Sequence, residues 1–265
     1  MAAVGTLLAR ARRLLGASPG AGLHPGAVDP DAARRSIAIW TVHRAGSMFV
    51  YRLTRDLCRG LGLLHRSVNG GSLAARPDPG DLRPTPPACY GPIRYPPAAL
   101  PPDITALIHL RDPRDVLTSL FYSHTFSHST RGGFRPSRLE RRRWAEQGID
   151  AWVLERADGL LGDYSAYVEL LGHPAARLLL YETMVTDFDS WVQRFLEPFA
   201  LREPTTVAAQ LVAAYADELR PVREDRRRHR RQVAPGDHRD KLTAATRRHL
   251  DRMFADVLSA LGCRD

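Results

Sequence analysis

Three short apolar runs punctuate the chain, each closed by a polar turn: Ile37–Val42 (IAIWTV), Ile104–Leu110 (ITALIHL) and Arg177–Tyr181 (RLLLY). Unbroken runs of five to seven residues predict central strands of a parallel sheet, covered on both faces. Leu63–Val68 is a fourth candidate. Between the runs the period changes. Within Gly46–Leu61, Val50, Leu53, Leu57 and Leu61 share one stripe, the spacing of an amphipathic helix. Pro113–His124 carries proline in its first turn, where a missing N–H leaves no bond unmade. Ala151–Leu171, Phe188–Phe199, Val207–Leu219 and Thr243–Leu261 continue the helical pattern. Strands alternating with helices predict a doubly wound α/β fold, with a parallel central sheet flanked by helices.

Two stretches fall outside that rhythm. Residues 76–102 are dense in proline and read as an irregular surface connection, of a length that is often functional. Residues 1–35 read as a basic appendage and linker ahead of a domain spanning 36–265. Thr6–Leu15 (TLLARARRLL) has the pattern of a short basic amphipathic helix, and 16–30 is rich in Gly, Ala and Pro. The appendage reads either as a frayed terminus or as a weak membrane-surface contact. Arginines that interrupt its apolar run argue against a secretory signal.

Composition narrows the classes. A chain of 265 residues, 44% apolar and 25% charged, is long enough for a sizeable core, and fibrous, disordered and coiled-coil classes are excluded. No apolar run reaches membrane-spanning length. Cys58, Cys89 and Cys263 share no metal-ligand spacing, so no metal is expected, and an odd, sparse count suits a reducing, cytoplasmic compartment. Net charge is +9, and every cationic side chain except Lys241 is arginine, which grips phosphate and sulfate bidentately. Residues 220–252 hold twelve Arg or Lys against five acids, net +7, which implies a polyanionic partner. No aromatic residue lies in 216–253, which counts against stacking on single-stranded nucleic acid.

The first strand leads into chemistry. IAIWTV-HRAGSM-FVYRL reads as strand, small-residue turn and helix. Gly46 permits a tight turn. The N–H groups of Ala45, Gly46, Ser47, Met48 and Phe49 are expected to converge there without intrahelical partners, which makes an anion site. Arg44 adds charge and Ser47 a hydroxyl. The turn lacks the GK[ST] ending of a nucleoside triphosphate loop.

A second, more specific pattern is LIHLRDPRDVLTSLFYSH, residues 107–124. Arg111 falls at the carboxyl end of a strand, where open α/β sheets place ligands. Asp112 suits the N-cap of the next helix. Ser119 follows about two helical turns after Arg111, so guanidinium and hydroxyl are expected to grip one phosphate. Asp115 is expected to close the turn or to pair with Arg111 or Arg114.

Here the chain resembles the sulfotransferases that use 3′-phosphoadenosine 5′-phosphosulfate (PAPS). Their 3′-phosphate motif, R-[ND]-P-x-D-x-x-x-S, stands complete from Arg111 to Ser119. Residues 43–49 look like a divergent copy of their P-K-S-G-T-T-W loop, with Arg44 in the lysine place and Phe49 in that of the adenine-stacking tryptophan. LLLYE at 178–182 resembles the strand whose tyrosine, here Tyr181, reaches adenine. Arg231–Arg239 (RQVAPGDHR) is similar to the R-K-G-x-x-G-D-W-[KR] loop over the 3′-phosphate, with departures at Gln232, Val233 and His238. The resemblance covers about residues 36–262. It implies a P-loop NTPase-like three-layer architecture and sulfuryl transfer from PAPS to a hydroxyl or amine. PAPS would be held by Arg44 to Phe49, Arg111, Ser119, Tyr181, Arg231, Gln232 and Val233. The acceptor is expected to be a small molecule, sugar or lipid rather than nucleic acid.

Arg44 is then the expected charge stabiliser. The proton acceptor is less plainly marked. The family's T-H-L-P histidine is matched by Arg94-Tyr95-Pro96-Pro97, and no glutamate precedes Glu140. His124 is the first choice, since histidine titrates near neutral pH; His128, His43, His65 and Asp56 are the others. The missing base also motivates a second reading, a catalytically silent nucleotide-binding protein.

Overall fold

The computed structural model describes residues 28, 35–67, 82, 87–127, 136–220 and 233–263. Its centre is a sheet of five parallel strands: β1 (Ser36–Thr41), β2 (Leu64–Arg66), β3 (Ala88–Ile93), β4 (Ile104–Leu110) and β5 (Ala176–Leu180). Their spatial order is β2-β3-β1-β4-β5. The chain leaves β1 toward one edge, returns through β3, and then crosses to β4 on the other side. The switch point falls at β1, and open α/β sheets place their ligands at the carboxyl edge beside such a point.

Three expected strands form, two of them shifted by one residue from the expected bounds, and β1, wholly buried, is in register with β4 from Ser36↔Ile104 to Thr41↔His109. The fourth candidate forms only the short edge strand β2. β3 differs from expectation, because it lies inside the stretch read as irregular. Its sequence, ACYGPI, carries glycine and proline yet is largely buried, and its pairing to β1 shifts register between Ala38 and Trp40. Gly91 sits at φ 108°, and a Cβ there would lie 2.5 Å from the Ile39 carbonyl oxygen. Only glycine lets the two backbones come so close.

Helices cover both faces: α1 (Ser47–Leu61), α2 (Pro113–Tyr122) with a π turn at Ser123–Ser127, α3 (Arg138–Gln147) and α4 (Ile149–Leu171). After β5 come α5 (Tyr181–Thr186), α6 (Phe188–Leu196), α7 (Pro204–Tyr215), α8 (Asp237–Lys241), α9 (Ala244–Met253) and α10 (Ala255–Leu261). The architecture is three-layered α/β, as expected. The last expected helix breaks at Phe254 into α9 and α10. Its ring is fully buried and touches Tyr164 of α4 edge-on. No helix among the described residues is long and apolar enough to cross a membrane. The proposed N-terminal helix lies outside the described residues, but Val28 pairs with Leu201 in a single bridge.

Candidate active site at the carboxyl edge of the sheet

The turn after β1 is held from several sides. Arg44 and Gly46 both take left-handed backbone conformations, at φ 69° and φ 76°. A Cβ on Gly46 would meet Met184 Cε at 3.0 Å and the Tyr181 ring at 3.5 Å. The first internal bonds of α1 run from Phe49 N and Val50 N to the Gly46 carbonyl, at 2.8 and 3.1 Å. Phe49's amide, expected to stay open, is therefore used; those of Ser47 and Met48 head the helix with no intrahelical acceptor. Ser47 is buried and Met48 exposed. The Phe49 ring is buried and meets Phe188 and Tyr215 edge-on, at 5.7 and 5.6 Å.

Side chains from beneath fix the carbonyls of this edge. Tyr167 and Tyr164, one turn apart on α4, donate to Thr41 O at 2.8 Å and to Arg111 O at 2.5 Å. His109 of β4 bonds Ala45 O through Nε2 at 2.8 Å. Burial pushes the imidazole pKa down to about 4, so near neutral pH the ring is uncharged and Nε2 donates. These three residues escaped the motif reading. Their signal was a pair of polar-tipped aromatics three apart on a helix, and one polar residue within an apolar strand.

Arg44, Arg111, Ser119 and Tyr181 come together as expected. Arg44 Nε donates to Ser119 Oγ at 3.0 Å. Arg111 is 4% exposed. Its Nη1 donates to Arg44 O at 3.1 Å, and its Nη2 to Asp115 Oδ2 at 3.1 Å. Its guanidinium lies 4.4 Å from the centre of the Tyr181 ring. Arg111 Nε is buried without a partner among the described residues. Tyr181, expected to end β5, instead opens α5. Its hydroxyl donates to Val233 O at 3.4 Å, and burial raises its pKa. Val233 is buried; Arg231 and Gln232 lie outside the described residues.

Asp115 is the junction of this region. Besides Arg111, it accepts from Gly236 N at 2.7 Å, His238 N at 3.0 Å and His238 Nδ1 at 2.7 Å. Burial alone would raise its pKa; the His238 hydrogen bonds and the Arg111 charge hold it well below the usual carboxylate range. Asp112 caps α2 and pairs with Arg114 at 2.8 Å. Arg114 reaches Asp251 of α9 at 2.6 Å.

The β3 side of the turn is sparser. Arg94 Nη2 donates to Ser47 Oγ at 3.0 Å. Arg94 is half-buried, no carboxylate pairs with it among the described residues, and burial lowers its pKa. The His43 and Tyr95 rings meet edge-on, 6.3 Å apart. His124 lies in the π turn that follows α2, its ring 6.2 Å from that of Trp144 and 5.6 Å from that of Trp152. Buried Asp56 is engaged by the Tyr215 hydroxyl at 2.6 Å and by Arg55 at 2.9 Å. His65 Nε2 bonds Gly91 O at 3.0 Å. His128 lies outside the described residues. Among those described, no three His, Cys, Asp or Glu side chains gather as a metal-binding group.

No family model matches the chain, and no curated protein matches it either. Solved structures do. The chain shares its fold with mouse sulfotransferase SULT7A1, crystallised with PAP, at 14% identity and TM-score 0.57, over 88% of this chain and 86% of that one. A retinol dehydratase in complex with retinol and PAP also matches, at 13% identity and TM-score 0.48, over 84% and 81%.

Proposed function

We propose that the protein is a PAPS-dependent sulfotransferase acting on a hydroxyl or amine of a small-molecule, sugar or lipid acceptor in the cytoplasm. The observation that carries this reading is the joining of two sequence motifs into one cationic edge, by Arg44 on Ser119 and Arg111 on the Arg44 carbonyl. The presence of PAP in the mouse sulfotransferase of the same fold supports it.

The residues fit such a donor. A nucleotide phosphorylated at both ends needs two anion sites along one edge. Arg111 and Ser119, with Arg231, Gln232 and Val233, would hold the 3′-phosphate, and the buried, unpartnered Arg111 Nε is a donor in want of an acceptor. The glycine-only turn at Gly46, with Ala45, Ser47 and Met48, would receive the 5′ end. Tyr181 and Phe49 would border the adenine. When bound, PAPS supplies the sulfuryl group. Arg44 stabilises the growing charge without giving up its proton, as in phosphoryl transfer, where positioning and electrostatics dominate.

The test is thermal stability with PAP, followed by transfer of radiolabelled sulfate. PAP is expected to raise the melting temperature, and Arg111→Ala to abolish that rise. Arg44→Ala is expected to lose about 100-fold in turnover at saturating PAPS. No response to PAP would overturn the reading. Binding without transfer to any acceptor would instead favour the silent nucleotide-binding protein that the missing base suggests.

A further inference from the structure

We propose that His43 is the catalytic proton acceptor, an inference that rests on the sulfotransferase reading above. Arg44 takes a left-handed conformation, so two consecutive side chains part company. That of Arg44 crosses to Ser119 on the β4 flank, and that of His43 lies against Tyr95 on the β3 flank. Arg111, Ser119 and Tyr181, the residues for the 3′-phosphate and adenine, all belong to the β4–β5 half. The 5′ end over the β1 turn then leaves the reacting sulfur facing the β3 half. The acceptor must approach from there, in line with the breaking bond.

Among the described residues, the groups able to take a proton on that flank are few. Asp56 is buried and committed to Tyr215 and Arg55. His65 is committed to the Gly91 carbonyl. Arg94, on Ser47, is a cation and no base. His43 is partly exposed, belongs to the turn itself, and carries an imidazole, the side-chain type best suited to act as a base near neutral pH. His124 belongs to the π turn after α2, where its ring packs against Trp144 and Trp152. In the step, a His43 ring nitrogen takes the acceptor's O–H proton as the new O–S bond forms. The S–O bond to the 5′-phosphate breaks and its electron pair stays on the phosphate oxygen. The products are a sulfate ester, PAP and protonated His43, which then releases its proton to solvent.

The experiment compares parent, His43→Gln and His124→Gln, using labelled PAPS with 2-naphthol, glucosamine and dodecanol as phenolic, sugar and lipid probes. For His43→Gln the expectation is a turnover loss of about 100-fold or more. The acid limb of its pH–turnover profile should flatten, with partial rescue by added imidazole. Its melting temperature and its shift with PAP should match the parent's, which separates a lost base from a misfolded chain. His124→Gln should stay within about threefold of parent. A His43→Gln variant that keeps parental turnover and acid limb overturns the proposal, and a collapse confined to His124→Gln assigns the role there. A parent that binds PAP but sulfates none of the probes overturns it too. A parent blind to PAP removes the sulfotransferase reading itself.

Discussion

The two flanks of the β1 turn solve different problems with the same residue type. On the β4 flank, Arg111 and Arg114 are almost wholly buried, and each is matched by carboxylates, Asp115 for one and Asp112 with Asp251 for the other. On the β3 flank, Arg94 is half-buried with no carboxylate to balance it among the described residues, and His43 and Tyr95 remain partly exposed. Buried, matched charges hold one geometry before a ligand arrives. A desolvated cation without a counterion is left for a ligand to neutralise. The contrast separates a half whose charges are internally matched from one whose charge is not, which is the division the proposed binding and reactive roles rest on.

The sharpest way to break the comparison is Asp115→Asn. It leaves the Arg111 charge buried and unmatched, so a loss of about 3–5 kcal/mol is expected in urea unfolding. A loss under about 1 kcal/mol would mean that the β4 flank is no more matched than the β3 flank.

Acid probes the same flank through His109. The unfolded chain binds that proton near pH 6.5, and the folded chain only near 4. The unfolded state thus holds more protons between those values, and stability falls as pH drops through that window, by about 3 kcal/mol in all. The Asp115 carboxyl, held low, adds a further loss below about pH 4, where the unfolded chain begins to protonate its own carboxylates. Urea unfolding of parent and His109→Gln at pH 7 and 4.5 checks the first part. The variant should show a shallower decline.

Tyr164→Phe is a smaller cut. It strands the Arg111 carbonyl, for about 1–2 kcal/mol, visible as a lower melting temperature. Smallest of all is Arg94→Met. Burial already disfavours the charge, and one hydrogen bond to Ser47 is lost, so stability should change by less than about 0.5 kcal/mol. A large loss there would erase the distinction between the flanks.

Much of this was legible in the chain because it rests on local pattern. Ile104–Leu110 ends where its apolar run ends, and Arg111 to Ser119 runs through one turn and helix, so spacing alone fixes where these two residues stand along the chain. β3 was hidden because its Gly91 and Pro92 read as turn residues. It survives as a strand through tertiary burial and the close approach to Ile39, neither of which is a property of the segment. Helix α3 was missed for the opposite reason. Trp144 is its one buried residue, so there is little apolar stripe to find, and its capping box at Ser137 and Glu140 was the available signal. The His238 contact to Asp115 joins residues more than a hundred positions apart, a distance no periodicity reports. Phe49 was assigned by position in a motif, and its edge-on packing with Phe188 and Tyr215 depends on helices that come much later in the chain.

That long reach of Asp115 has a consequence for synthesis. As the chain leaves the ribosome, Arg111 and its strand emerge well before Gly236 and His238. Until the segment carrying Gly236 and His238 clears the exit tunnel, the carboxylate lacks three of the four donors it ends with. The Asp115 junction is therefore completed only after the segment carrying Gly236 and His238 has been made, and a product truncated before Gly236 would lack those three donors.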